Sequence, residues 1–365
     1  MPQLDGLRAF AVVGVAVSHW TPNLLVGIVP WGTGVQLFFV LSGFLITEIL
    51  LRSRSDRSGA SLGDAMRIFY IRRALRIFPL YYAVLIICLL LDVGPIRDTW
   101  KWHVPYLSNF HYAWYARGPA IVDPFLHFWS LSVEEQFYLG WPIAALLLSR
   151  RLIPVVLCLT ILASVVFRVG IETVVPSIVS VRYLTPSCLD AFAVGALVAY
   201  ARHYEGGSAM RRLGWILAGL GVLGLVVCTL LLPRVIGPLV SHRIGHTFLV
   251  IFYGALVAGA ARGFRGLPGR ILSFTPIVYL GAISYGIYVY HYFAPVALQW
   301  VTVRLGAREV SSVLLLSGYV IFTLVLSVAS WHLFEHPLNR LKRRFPYPAA
   351  REPVRRSAVP AALGE

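Results

Sequence analysis

Apolar residues along this chain run in long blocks, separated by short clusters of Lys and Arg. A helix crosses a hydrocarbon core of about 30 Å with roughly 20 apolar residues, and with fewer where aromatic or Arg flanks reach the interface. Ten segments meet that length, near residues 8–29, 32–51, 77–95, 131–149, 152–169, 187–202, 213–232, 246–262, 276–295 and 310–334. The expected fold is all-α: a polytopic membrane bundle of about ten transmembrane helices over residues 1–340, on the span length above. Residues 341–365, rich in Arg, Pro and Ala, read as a basic, disordered cytoplasmic tail.

Composition agrees with that pattern. Hydrophobic residues make up 58% of the 365 and charged ones only 13%, which excludes an ordinary soluble globule. Disorder is excluded too, because 20 Phe, 18 Tyr and 10 Trp accompany the apolar runs. The formal net charge of +16 is a topology signal: with ten crossings and the N-terminus inside, 23 of the 32 Lys and Arg fall on the cytoplasmic side. Both termini are therefore expected in the cytoplasm. No soluble basic face is left to bind nucleic acid. Cys88, Cys158, Cys188 and Cys228 sit inside or at the ends of apolar segments with no C-x-x-C spacing, so they read as packing residues. Arg8 leads directly into an apolar run without a signal-cleavage site. No internal repeat is evident, nor a pair of Gly/Pro-broken spans of the kind many secondary transporters carry.

Chemistry enters with the first span. It opens Leu4-Asp5-Gly6-Leu7-Arg8 and carries His19 eleven residues after Arg8. Eleven helical residues rise about 16 Å and return to within about 20° of the starting direction, so Arg8 and His19 share a helix face. With Arg8 at the interface, His19 lies near mid-membrane. An ionisable group at that depth is costly unless it faces protein or a watery cavity, and imidazole suits proton transfer. The structural alternative is an interhelical hydrogen bond. Asp5 reads as an N-cap or a local partner of Arg8.

Between the second and third spans, Arg72, Arg73 and Arg76 follow i, i+1, i+4 spacing within Met66-Arg67-Ile68-Phe69-Tyr70-Ile71-Arg72-Arg73-Ala74-Leu75-Arg76. In a helix they make a compact guanidinium cluster able to grip a polyphosphate by forked hydrogen bonds. Juxtamembrane arginines also anchor helices to lipid headgroups, and both readings stay open here. No Walker-type or G-x-G-x-x-G loop competes for phosphate.

Before the fourth span lies a loop with Trp100, Trp102, His103, Tyr106, His111, Tyr112, Trp114 and Tyr115, suited to a membrane-interface belt or to stacking on sugars. Then come His127-Phe128-Trp129-Ser130-Leu131-Ser132-Val133-Glu134-Glu135-Gln136-Phe137-Tyr138. Ser132 and Glu135 fit a capping box, as do Ser187 and Asp190 at the sixth span. Glu134 has no such duty and is a candidate to orient or charge-stabilise a histidine of span one. Glu48 and Arg52 make an i, i+4 pair. His291, His332 and His336 read as packing or interfacial residues. No H-E-x-x-H spacing supports a metal site.

The ordered set of runs resembles the acyltransferase-3 family of integral membrane O-acyltransferases. It comprises Leu4-Asp5-Gly6-Leu7-Arg8 with His19, Phe38-Phe39-Val40-Leu41-Ser42-Gly43-Phe44-Leu45-Ile46, Arg72-Arg73-Ala74-Leu75-Arg76, the run through Glu134, Ser284-Tyr285-Gly286-Ile287-Tyr288 and Glu335-His336-Pro337. The resemblance covers roughly residues 3–340. It implies ten membrane helices in the bacterial inner membrane, an essential Arg and His at Arg8 and His19, and acyl-CoA held on the cytoplasmic side by Arg72, Arg73 and Arg76, with Arg8 nearby. It also implies functional glutamates at Glu134 and Glu335. The expected reaction moves an acyl group, acetyl first, from acyl-CoA to a hydroxyl of a carbohydrate or lipid-linked glycan, with His19 as general base or acyl relay. No SGNH-hydrolase-type domain is expected after residue 340, which leaves the acceptor open. Two other readings remain: acylation of a small natural product such as a macrolide, and a non-catalytic carrier of a lipid-linked glycan.

Overall fold

The structure is a computed structural model that describes residues 1–21, 31–55, 61–115, 123–175, 180–306 and 310–347. Among the described residues it is helical throughout, with no strand. In chain order the helices are α1 Pro2–Trp20, α2 Gly34–Ser55, α3 Leu62–Leu90, α4 Ile96–His103, α5 Ser108–Tyr115, α6 Trp129–Leu147, α7 Leu152–Val174, α8 Leu189–Tyr200 and α9 Gly206–Val226. They continue as α10 Pro233–Ile236, α11 Pro238–Arg262, α12 Gly266–Leu272, α13 Thr275–Ala282, α14 Ser284–Tyr290, α15 Ala294–Arg304, α16 Ser312–Ser330 and α17 His336–Arg340.

Six helical stretches among the described residues are long and apolar enough to cross a membrane: 34–54, 62–90, 152–171, 185–231, 238–262 and 312–344. This is an all-α polytopic membrane protein. Each of the ten expected spans coincides with helix, although residues 22–29 of the first and residues 348–365 of the expected tail lie outside the described residues. The ninth span departs from a single rod: it is divided into α13, α14 and α15.

Small residues decide the centre of the bundle. A Cβ on Gly43 of α2 would collide with the Phe192 carbonyl of α8, and one on Gly195 of α8 would collide with the Val40 carbonyl of α2. The two glycines let these backbones approach closely, the means by which membrane helices gain packing contacts when lipid offers no hydrophobic penalty. Phe192 then stacks between Phe39 (4.7 Å) and Phe137 (4.1 Å), joining α2, α6 and α8.

Two capping boxes expected from the sequence do not form. Helix α6 starts at Trp129, upstream of Ser132, whose hydroxyl instead lies 2.8 Å from that of Ser108 in α5. The Glu135 Oε1 is buried without a hydrogen-bond partner among the described residues. At α8 the Asp190 carboxylate is drawn away from capping by Arg168 of α7, whose Nη2 donates to it at 2.7 Å while Thr247 of α11 donates at 2.8 Å. A buried carboxylate needs a cation more than a helix end needs a cap. The i, i+4 pair does form, with Arg52 donating twice to Glu48.

Residues 341–347, expected to begin the tail, dock on α3. The Arg72 Nη1 donates to the carbonyls of Lys342 (2.8 Å) and Phe345 (2.9 Å), and its guanidinium lies over the Tyr347 ring at 4.7 Å. Backbone carbonyls that have run out of helical donors are ready acceptors for a guanidinium.

Candidate active site

The site is assembled around α1. This helix carries Arg8 and His19 on one face, as the eleven-residue spacing requires. Arg8 is tied to its own turn by a hydrogen bond to Asp5 at 2.8 Å. Helix α3 begins in a capping box, Ser61 with Asp64, and runs unbroken through the arginine cluster into its apolar stretch. The cluster and the third span are therefore one rod.

Arg8, Arg73 and Arg76 line a single pocket with Ser42, Glu134, Tyr138, Ser130, Ser284 and Tyr288. The pocket has a cavity volume of about 80 Å³. Three guanidiniums face one carboxylate here, so the lining is net cationic. The Arg73 guanidinium lies over the Tyr138 ring at 4.1 Å, and its buried Nε lacks a partner among the described residues. Glu134 accepts from the Ser42 hydroxyl at 2.6 Å, and Tyr138 donates to the same serine at 3.1 Å.

Of the residues singled out by sequence, Arg8, Arg73, Arg76 and Glu134 come together. Arg72 does not line the pocket; its Nη1 is taken up by the carbonyls of Lys342 and Phe345 in the segment 341–347. Glu134 belongs to the arginine end and makes its short bond to Ser42, not to the histidine of α1. Glu335 is buried, accepts from Ser330 at 2.9 Å and does not line the pocket.

His19 lies beyond the inner wall of that pocket. Its Nδ1 is 3.0 Å from the Nε2 of His291, and its ring meets Tyr292 edge-on at 4.7 Å. Despite these contacts His19 keeps exposed surface, and it does not line the arginine pocket. His127 packs beside His291 at 5.1 Å and bonds the Val289 carbonyl through Nε2 at 3.1 Å. Tyr288 is the shared wall. It lines the pocket on one side, and its ring lies 5.4 Å from His127 and 5.5 Å from His291 on the other. Its hydroxyl is held by Ser130 at 2.5 Å and by the His127 carbonyl at 2.9 Å.

The sequence reads His291 as a packing or interfacial residue, and its side chain is fully buried, with 0% exposure. The break of the ninth span gives it its partners. An uninterrupted helix would satisfy the His291 carbonyl with the N–H of residue 295, and that residue is Pro295, which has none. The carbonyl instead accepts from the Trp20 indole at 2.9 Å, and the chain turns through residues 291–293 before α15 begins. The end of α1 is thereby latched to the break, with the two imidazoles nearly coplanar and edge to edge, their facing nitrogens 3.0 Å apart. Pro295 four residues after His291 was the available signal, although nothing local said which helix would answer it.

A helical membrane protein with an arginine-lined pocket and, behind its Tyr288 wall, a cluster of histidines is the class the fold and site define. The acyltransferase-3 family model, described as an acyltransferase domain, matches residues 1–332, and the chain belongs to that family. It is 30% identical to YrhL of Bacillus subtilis, provisionally named a peptidoglycan O-acetyltransferase, over 93% of this chain and 55% of that protein. It is 28% identical to the peptidoglycan O-acetyltransferase OatA of Listeria monocytogenes, over 80% of this chain and 49% of the relative. Identity to the O-acetyltransferase OatA of Staphylococcus aureus is also 28%, over 80% of this chain and 50% of the relative. The chain thus spans about half the length of the curated relatives it matches. No solved structure matches it.

Proposed function

We propose that this chain is a membrane O-acyltransferase of the bacterial plasma membrane, taking acetyl from acetyl-CoA on the cytoplasmic side and passing it to a hydroxyl of a carbohydrate, peptidoglycan being the first acceptor to try. The observation that carries the reading is the convergence of Arg8, Arg73 and Arg76 on one narrow pocket whose inner wall, Tyr288, backs onto the histidines. Phosphates of CoA would engage the guanidiniums at the mouth, where forked, charge-assisted bonds favour them. Only the slender pantetheine arm would enter, moving Tyr288 aside to bring the thioester to His19. Both chain termini lie in the cytoplasm in this orientation, in keeping with the excess of Lys and Arg on that side.

At His19 the acceptor hydroxyl gives its proton to the imidazole as its oxygen attacks the thioester carbon. The C–S bond then breaks, and the CoA thiolate leaves and takes up that proton. In the relay variant the imidazole nitrogen attacks the thioester carbon first, the C–S bond breaks and CoA leaves as the thiolate. The hydroxyl oxygen then attacks the acetyl carbon, the N–C bond breaks to free the imidazole, and the hydroxyl proton is the one that neutralises the CoA thiolate. Glu134, bonded to Ser42 beside Arg73, balances charge among the guanidiniums.

Purified protein in lipid nanodiscs, given acetyl-CoA labelled in the acetyl group and peptidoglycan fragments or lipid-linked glycan, is expected to transfer label to the glycan. Failure to consume labelled acetyl-CoA with every acceptor supplied would favour a carrier. Consumption only with a small hydroxylated metabolite would move the acceptor to that class.

A further inference from the structure

The hydrogen bonds around His291 form a directed chain. Its Nδ1 lies 2.6 Å from the Tyr288 carbonyl in a buried setting. A carbonyl only accepts, so the proton of that bond sits on Nδ1 of His291. In a neutral imidazole the other nitrogen is then a lone pair, and Nε2 of His291 can only accept. The group 3.0 Å away is Nδ1 of His19, which must donate. Three nitrogens of two adjoining rings and one backbone carbonyl thus leave a single arrangement of protons: His19 carries its hydrogen on Nδ1 and presents a lone pair at Nε2.

We propose that His291 is a positioning residue that fixes His19 in the Nδ1–H tautomer, so that Nε2 is the nitrogen available to take the acceptor proton or the acetyl group. The inference rests on the proposed role of His19 and adds which nitrogen acts and what selects it. The device resembles a carboxylate behind a catalytic histidine, which sets the tautomer and the ring angle, but here the partner is neutral. When His19 accepts a proton at Nε2, its Nδ1–H bond to His291 strengthens, and the His291 Nδ1–H bond to the Tyr288 carbonyl strengthens with it. The break at Pro295 serves the arrangement twice. It frees the His291 carbonyl to hold Trp20, the residue next to His19, and it lets the His291 ring fold back onto its own preceding turn.

The test uses the full chain in nanodiscs, labelled with nitrogen-15 in histidine, with His19 assigned by difference against His19→Gln. The wild type is expected to show His19 with a protonated Nδ1 and a bare Nε2. In His291→Ala the His19 signal should shift toward the Nε2–H form, and kcat should fall about 100-fold, the range for loss of an orienting partner. KM for acetyl-CoA should stay within about twofold, because His291 does not line the arginine pocket. His291→Gln, whose side-chain oxygen can stand where Nε2 stood, should restore the Nδ1–H form and most of kcat, which also separates positioning from a folding defect. An Nε2–H tautomer in the wild type, or a tautomer indifferent to His291→Ala, overturns the proposal. Full transfer by His19→Ala would defeat the catalytic reading on its own, since the tautomer spectrum is read without turnover.

Discussion

The Nδ1 of His19 and the Nε2 of His291 stand 3.0 Å apart across 272 residues of chain. One lies near the end of α1 and the other at a break in the ninth span, and the neighbouring Trp20 indole bonds the carbonyl of the same His291. The contact couples the position of the His19 imidazole to a backbone discontinuity.

Removing the indole donor should expose that coupling. Trp20→Phe keeps the ring bulk and leaves the His291 carbonyl without its partner. A loss of about 1–3 kcal/mol is expected for the unsatisfied buried group, read as a lowered thermal midpoint in detergent. An unchanged midpoint would mean the latch contributes nothing to stability.

The arginines should separate into two groups. Arg73→Ala and Arg76→Ala each remove a charged donor from the pocket lining and are expected to raise KM for acetyl-CoA about tenfold or more, on the scale of one charge-assisted hydrogen bond. Arg72→Ala should leave that KM within about threefold, given a donor already committed to the carbonyls of Lys342 and Phe345. Its expected signature is protease cleavage near residues 341–347. Equal KM effects at all three positions would contradict the division.

Glu134 provides a test of address. Its carboxylate bonds Ser42 among the arginines, so Glu134→Gln is expected to change KM for acetyl-CoA while leaving the shape of the pH dependence of kcat as in the wild type. A displaced kcat profile would indicate that Glu134 acts directly on the histidine.

The ion pair of Arg168 and Asp190 lies deep in the bundle, with side chains 5% and 0% exposed. Truncating one partner strands a buried charge, so Arg168→Ala should cost about 3–5 kcal/mol of stability. The double change Arg168→Met with Asp190→Leu should recover most of that, because no charge is left uncompensated. Calorimetry in detergent compares the two directly, and an equally unstable double variant would count against this account.

Glycine at the centre of the bundle is expected to be irreplaceable by anything large. Gly195→Leu would drive a side chain into the Val40 carbonyl, and overpacking of this kind costs about 1–3 kcal/mol or more. The expected readout is loss of monodisperse protein on size-exclusion chromatography, with Gly140→Leu, at a position open to its surroundings, as the tolerated control.

Much of this protein was legible along the chain, because lipid imposes a coarse and local rule: every backbone group must be bonded within its own helix. Blocks of apolar residues therefore reported the helices. Helical geometry alone placed Arg8 and His19 on one face, and the i, i+1, i+4 spacing alone made Arg72, Arg73 and Arg76 a cluster. What the chain could not report was which partner each polar group would find. Arg73 and Arg76 line the pocket while Arg72, one turn from Arg76, is taken up by the carbonyls of the docked segment 341–347. Glu134 went to Ser42, Asp190 went to Arg168 in place of a cap, and the buried His291 met His19. These choices belong to helices far apart in sequence, and burial enforces them, since a polar group without water takes whichever donor or charge the packed bundle brings within reach.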